Sequence, residues 1–146
     1  MVATYKLTLG KRLANAAMRA ALRLGLAPSR YSLLSVRARS SGKVLSTPVI
    51  VLSRAEERFL VSPYGERAWV KNARAAGRIE LSRGGRTQPF TIEELGAEDA
   101  APVLQQYWQE TPITRPYFAI TDDADLAAFA TEAARHPVFR LRPGDL

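Results

Sequence analysis

The chain has 146 residues, 47% hydrophobic and 24% charged, which suits one globular domain and excludes a disordered chain. It has no cysteine, which excludes disulfides and thiolate chemistry and is compatible with a reducing cytoplasm. The net charge of +7 is unevenly distributed along the chain. Residues 1–90 carry 17 Lys and Arg and four acidic residues, whereas residues 91–146 carry four Lys and Arg and ten acidic residues. The first part is therefore expected to attract an anionic partner.

Residues 10–26 predict an amphipathic helix, so residues 1–29 form a basic N-terminal element ahead of a domain at 30–146. The helix has a cationic stripe of Arg12, Arg19 and Arg23 and an apolar stripe of Leu13, Ala17, Ala20 and Leu24, and it ends at Gly25 and Pro28. Three interpretations stay open: the apolar side packs on the domain, the helix rests on an anionic membrane surface, or the segment is a cleavable targeting peptide. No apolar run approaches the roughly 20 residues of a spanning helix.

The rest of the chain alternates short apolar runs with turn signals. We predict strands at Tyr31–Ala38, Thr47–Leu52, Arg58–Ser62, Arg78–Ser82, Thr87–Glu94 and Val138–Arg142, and helices at Glu66–Ala76, Glu98–Trp108 and Asp123–Ala134. The clearest hairpin contains Gly84 and Gly85, since glycines supply the positive φ of a tight turn. About six strands with few helices predict a mainly β fold with peripheral helices, a small barrel and not a βαβ stack.

Side chains for covalent or acid–base chemistry are scarce. One histidine and no cysteine cannot form the usual zinc site, and the chain has no GxSxG, Walker or GxGxxG motif. His136 is interpreted as a structural residue at a helix end, and Asp122, Asp123 and Asp125 as a helix N-terminus instead of a metal site. If the protein is an enzyme, a bound organic cofactor must perform the difficult step.

Two segments have the composition of a site for an anionic, aromatic ligand. Residues 37–43, RARSSGK, combine cations, hydroxyls and a glycine, which are the parts of a phosphate cradle, although a solvated hairpin loop has the same composition. In SPYGERAWVKNARAAG, residues 62–77, the backbone of Pro63–Gly65 can face a flat ring, and Trp69 and Asn72 share a helix face. The competing interpretation makes Trp69 a core anchor and the nearby cations a solvated face.

The ordered motifs RSSG…STPV, RFLVSPYGERAWVKNARAAGRIEL and RGGR resemble the deazaflavin-dependent nitroreductase family, a branch of the flavin/deazaflavin oxidoreductases. The segment RPYFAITDDADLAAFATEAARHPVFRL is similar to actinobacterial members, and the resemblance covers roughly residues 30–142. It implies a split β-barrel of the flavin-reductase or FMN-binding type that binds coenzyme F420, a deazaflavin with a phosphate and an oligoglutamate tail. It also implies an enzyme that transfers a hydride from the reduced deazaflavin to an electrophile such as a quinone or a nitroaromatic.

The resemblance also implies which residues form the site. The cofactor-binding candidates are Arg37, Arg39, Ser40, Ser41 and Lys43 in the phosphate loop; Leu45, Ser46, Thr47, Pro48, Val49 and Ile50 along the ring; Ser62, Pro63, Tyr64 and Gly65 in the turn; and Ala68, Trp69, Lys71 and Asn72 on the helix. Tyr117 is the nearest candidate for a catalytic tyrosine on the substrate side, or an aromatic that closes the barrel end. Ser40 and Leu45 replace two cations of the family pattern, so Arg37, Lys43, Lys71 or Arg74 would have to substitute.

Several alternatives stay open. One is an FMN-binding split-barrel reductase, and another is a non-catalytic deazaflavin-binding protein. Nucleic-acid binding is disfavoured because no stacking aromatic motif accompanies the positive charge. We expect a cytoplasmic protein, peripheral on the inner face of the membrane if residues 10–26 bind lipid. A homodimer is an open alternative to a monomer, since both occur among split barrels.

Overall fold

The computed structural model describes residues 6, 8–26 and 29–144. In chain order its elements are α1 (Leu9–Arg23), β1 (Tyr31–Arg37), β2 (Val44–Arg54), β3 (Glu57–Val61), α2 (Ala68–Ala76), β4 (Arg78–Arg83), β5 (Arg86–Glu94), α3 (Ala97–Glu110), a 3-10 helix (Pro112–Tyr117), α4 (Leu126–Glu132) and β6 (Val138–Pro143). Each predicted helix and strand is therefore present within a few residues of its predicted bounds. The 3-10 helix was not predicted, and Pro28, one of the two expected helix ends, lies outside the described residues.

The six strands close into an antiparallel barrel in the order β1-β2-β3-β6-β5-β4, which confirms the predicted barrel. The β1–β2 pair runs in register from Tyr31 opposite Ile50 to Arg37 opposite Val44. Gly84 and Gly85, with φ of 57° and 82°, form the predicted β4–β5 turn. The left-handed conformation at both positions is the reason that two glycines stand there.

Two apolar clusters hold the fold together. Alternate strand residues fill the barrel together with Val70 of α2, and the largest of them are Leu34, Leu60, Ile79, Phe90, Phe139 and Leu141. The second cluster lies where α3 and α4 pack against β3 and β6, and it includes Leu104, Tyr107 and Phe129. The helices are therefore peripheral to a β core, as the sequence predicted.

Helix α1 packs on the barrel through a different face from the predicted one. Its buried residue is Leu22, which lies against Leu33 with Met18, Ala21 and Tyr31 beside it. The predicted packing stripe faces solvent, with 63% of Leu13 and 70% of Leu24 exposed. The prediction was wrong because an alanine- and leucine-rich helix has apolar residues on both sides, and periodicity cannot say which one meets the barrel.

No described helix is both long enough and apolar enough to cross a bilayer.

Candidate active site

The loop between β1 and β2 is held by hydrogen bonds within itself. Ala38 N donates to the Lys43 carbonyl at 2.7 Å, and Gly42 N donates to the Ala38 carbonyl at 2.9 Å. The Arg37 guanidinium donates to the Gly42 carbonyl at 2.7 Å, and Gly42 has a φ of 73°. The loop therefore presents the exposed cations and hydroxyls of residues 37–43 on an ordered backbone, which suits an anionic group.

Asn72 joins this loop to α2. Only 3% of Asn72 is exposed, and its Oδ1 accepts hydrogen bonds from Arg39 N at 3.1 Å and Arg39 Nη1 at 2.7 Å. The two predicted site residues are thus in direct contact, although 33 positions separate them. Among the described residues the Asn72 Nδ2 donates to no acceptor, so these two N–H groups are available to a ligand.

A groove of about 300 Å³ lies between β2 and the start of α2. Six predicted residues line it, together with Val36 and Arg67: Leu45, Ser46, Thr47, Ala68, Trp69 and Asn72. Trp69 contributes a flat aromatic wall and Asn72 a buried amide. The groove therefore combines an aromatic face with hydrogen-bonding groups, next to the basic loop.

Hydrogen bonds and a close backbone contact hold the turn at residues 62–65 in place. The Ser62 hydroxyl, which is fully buried, donates to the Gly65 carbonyl at 2.5 Å, and Ser62 N donates to the Pro137 carbonyl at 2.9 Å. Gly65 has a φ of 85°, and a Cβ there would lie 3.3 Å from the Arg135 carbonyl oxygen. Ser62 and Gly65 therefore shape the turn, while Pro63 and Tyr64 are the turn residues that reach a cavity.

This second cavity, of about 320 Å³, lies under α1. It shares Thr47, Arg67 and Trp69 with the groove, so the two spaces adjoin the same three residues. Strand residues form one wall: Tyr31, Val61 and the predicted Pro48, Val49 and Ile50. The remaining walls come from the turn residues Pro63 and Tyr64 and from residues on and after α3, which are Tyr107, Thr111, Ile113 and Thr114. Helix α1 closes one side with Asn15 and Arg19.

Residues 12–130 match the sequence profile of the F420H2-dependent quinone reductase family. The chain belongs to this family. It is therefore an F420-dependent oxidoreductase with coenzyme F420 as its cofactor. This confirms the cofactor and the enzyme class that the resemblance implied, in place of an FMN-binding reductase or a non-catalytic protein. No curated protein matches the sequence significantly.

Solved structures show the fold of this reductase. An F420-H2 dependent reductase, FDR-A, is 19% identical with a TM-score of 0.57, over 78% of this chain and 95% of its own. A pyridoxamine 5'-phosphate oxidase-related, FMN-binding protein from Nostoc punctiforme PCC 73102 is 16% identical with a TM-score of 0.54, over 95% and 83%. A structure described as a domain-swapped dimer is 16% identical with a TM-score of 0.59, over 92% and 100%. The split-barrel prediction is confirmed, and a homodimer of this chain stays a prediction.

The residues present fit F420. The groove has an aromatic wall in Trp69 and a buried amide in Asn72, and the adjoining loop carries exposed Arg37, Ser40 and Lys43. A flat deazaflavin with a phosphate and a carboxylate tail needs this combination of an aromatic face and neighbouring cations. The loop residues Arg37, Arg39, Ser40, Ser41 and Lys43 line neither cavity, nor does Lys71, and their predicted roles in this reductase stay predictions.

Arg74 is not available as a substitute for the missing family cations. Its guanidinium pairs with Glu66 at 2.9 Å and with Glu94 at 2.8 Å. The Glu66 pKa is lowered from its ordinary value mainly by the hydrogen bond from Arg74. Arg74 therefore braces α2 against β5, and Arg37, Lys43 and Lys71 are the remaining candidates.

Tyrosines surround the second cavity of the reductase, but Tyr117 does not line it. The Tyr117 ring packs edge-on against Tyr64, with the ring centroids 4.9 Å apart, so it contacts a residue that lines the cavity, and its catalytic role stays a prediction. Tyr107, which was not predicted, lines the cavity directly and is buried. Burial raises the Tyr107 pKa well above its ordinary value, against a smaller opposing effect from its hydrogen bond with Thr114, so its hydroxyl stays protonated at neutral pH.

His136 and the aspartate cluster have structural roles. The buried His136 ring stacks on Phe118 with centroids 3.9 Å apart, and burial lowers its pKa, so it is neutral at pH 7. Asp125 is the N-cap of α4 and accepts from Ala128 N at 3.1 Å, so the helix begins three residues later than predicted. The described residues contain no group of three side chains that could hold a metal ion.

Proposed function

We propose that this reductase holds F420 in the groove between β2 and α2, with the phosphate and the tail on the loop at residues 37–43. Trp69 would wall the deazaflavin, the Asn72 amide would donate to it, and Arg37 and Lys43 would meet the anionic groups. Several observations support this assignment: the predicted residues converge on one groove, Asn72 has free donors, and the loop is ordered beside it. The two missing family cations are then replaced by neighbours on the same loop.

We further propose that a quinone is the acceptor and binds in the cavity under α1. The observation that carries this proposal is that the two cavities share Thr47, Arg67 and Trp69, since hydride transfer requires donor and acceptor to lie side by side. Bound F420H2 supplies the hydride. The protein orients the quinone between Tyr64 and Tyr107, and Arg19 at the wall stabilises the negative charge that develops on a quinone oxygen.

A binding experiment tests the placement of the cofactor. Trp69→Ala is expected to raise the Kd for oxidised F420 by roughly tenfold, because aromatic stacking on a ring is worth about 1–3 kcal/mol. Calorimetric titration measures the effect, with FMN run in parallel and expected to bind much more weakly. The matched control is Trp108→Phe, in the cluster between α3 and α4, which should bind F420 like the wild type. Unchanged F420 affinity in Trp69→Ala would place the cofactor elsewhere.

We also propose that α1 rests on an anionic membrane, which would place the protein at the inner face and give it access to a lipid-soluble quinone. An apolar stripe of α1 faces solvent, with 74% of Leu9, 63% of Leu13 and 70% of Leu24 exposed. Arg12 and Arg23 are exposed beside it, which suits acidic headgroups.

Sedimentation with phosphatidylglycerol vesicles tests this docking. The wild-type protein should co-sediment, and Leu13→Glu with Leu24→Glu should reduce the bound fraction several-fold, because two charges then enter the interfacial stripe. The matched control Val44→Glu with Leu126→Glu adds the same charge at apolar positions outside α1 that are 61% and 48% exposed, and it should bind more strongly than the α1 variant. Equal binding by all three proteins would contradict the docking.

A further inference from the structure

A second basic site lies at the end of the barrel opposite the loop at residues 37–43. The β1 strand reaches that loop at Arg37, whereas Ser32 is near its other end and lines a cavity of about 550 Å³. Apolar residues fill the barrel interior as far as Leu81 and Phe90, and beyond them the lining becomes polar. The barrel is therefore open to water at this mouth.

Three guanidinium groups line the mouth: Arg58 of β3, Arg83 of β4 and Arg86 of β5. Arg83 and Arg86 are directly opposite each other in the β4–β5 register, an arrangement of like charges that destabilises a strand pair. No aspartate or glutamate of the described chain lines this cavity. The nearby Glu57 is engaged outside it by Arg140, at 2.5 Å. Among the described residues, the charges of Arg58 and Arg86 therefore have no carboxylate beside them in the cavity.

Contacts with neighbouring groups hold the arginines of the mouth in place. The Arg58 guanidinium lies 4.5 Å from the centroid of the Phe90 ring, and Arg83 Nη1 donates to the Tyr31 carbonyl at 3.0 Å. The turn that carries Arg83 and Arg86 is tied to the end of α1, because Gly84 N donates to the Leu22 carbonyl at 2.8 Å. The mouth also contains serine hydroxyls, Ser32 and Ser53 among them. Cations and hydroxyls converge here from five strands, β1 to β5.

We propose that this barrel mouth, defined by Arg58, Arg83 and Arg86, is a binding site for a phosphate-bearing ligand, separate from the cofactor site. Arginine binds phosphate with two parallel hydrogen bonds, and neighbouring hydroxyls complete such sites. The guanidinium groups of Arg58 and Arg86 make no hydrogen bond or ion pair with another described residue, so both can turn to a ligand. A bound phosphate relieves the repulsion between the opposed arginines.

Thermal unfolding with pyrophosphate as the probe tests the site. At constant ionic strength, pyrophosphate should raise the Tm of the wild-type protein in a saturable way. The double variant Arg58→Gln with Arg86→Gln should need at least roughly tenfold more pyrophosphate for the same shift, since two charge-assisted contacts to the phosphate groups are lost. Arg78→Gln with Arg142→Gln removes the same charge from exposed positions outside the mouth and should respond like the wild type.

Saturating F420 separates the mouth from the cofactor site. If the sites are distinct, the pyrophosphate shift persists in its presence. A shift that F420 abolishes, a wild-type protein without a saturable shift, or equal responses of the two double variants would each overturn the proposal. Phosphatidylglycerol vesicles then identify the source of the phosphate group: competition with pyrophosphate indicates a lipid headgroup, and its lack indicates a free phosphate compound.

Discussion

Replacing Asn72 by leucine is expected to weaken F420 binding by roughly 10- to 100-fold, because hydrogen bonds that involve charged groups contribute about 1.5–3 kcal/mol. Leucine has a similar volume but neither accepts nor donates a hydrogen bond. The change releases Arg39, whose backbone and guanidinium both donate to Asn72 Oδ1, and it removes the amide donors that line the groove. Isothermal titration of the variant with oxidised F420 measures the loss.

Asn72→Asp distinguishes the two roles of this residue. Aspartate keeps an acceptor for Arg39 and should leave the Tm close to that of the wild type, but it has no N–H donors and repels an anionic ligand, so F420 affinity should still fall. Arg78→Gln, at an exposed position just after α2, changes the charge without touching the groove and should have a much smaller effect. Wild-type F420 affinity in Asn72→Asp would show that Asn72 acts only by holding the loop.

Arg19→Gln is expected to lower kcat/KM for a quinone by roughly tenfold or more, because a charge-assisted hydrogen bond to a developing oxyanion is worth about 1.5–3 kcal/mol. Arg19 is partly buried, lines the cavity under α1, and makes no hydrogen bond or ion pair with another described residue. Its guanidinium is therefore available to the acceptor. Steady-state kinetics with a water-soluble quinone and F420H2 measure the change without any contribution from membranes.

The control for this prediction is Arg23→Gln, one turn further along α1. Arg23 is exposed and lines neither cavity of the site, so its replacement changes the net charge equally without altering the acceptor wall. The Kd for F420 should be unchanged in both variants, because Arg19 does not line the cofactor groove. Equal losses of kcat/KM in the two variants would show that Arg19 acts through overall charge and not at the acceptor.

Local signals made much of this fold predictable. A pair of glycines such as Gly84 and Gly85 favours a tight turn in any chain, because glycine adopts a positive φ readily. Gly77, with a φ of 74°, ends α2 for the same reason. The loop at residues 37–43 and the segment around Trp69 were predicted from composition and family resemblance. The groove brings Leu45 and Ser46, which follow that loop in β2, together with Ala68 and Trp69 of α2.

Long-range contacts decided what the sequence left open. Arg74 was a candidate cofactor cation, but the fold places Glu66 and Glu94 beside it. Tyr117 contacts Tyr64 without lining the cavity, whereas the unpredicted Tyr107 lines it. The face of α1 that meets the barrel was equally undetermined. The sequence by itself determined the helices, strands, turns and cofactor class, because these depend on neighbouring residues and on ordered motifs. Only the tertiary structure decided which side chains meet in the acceptor cavity. Residues far apart in the sequence can have the same local pattern, and closure of the barrel determines which of them come into contact.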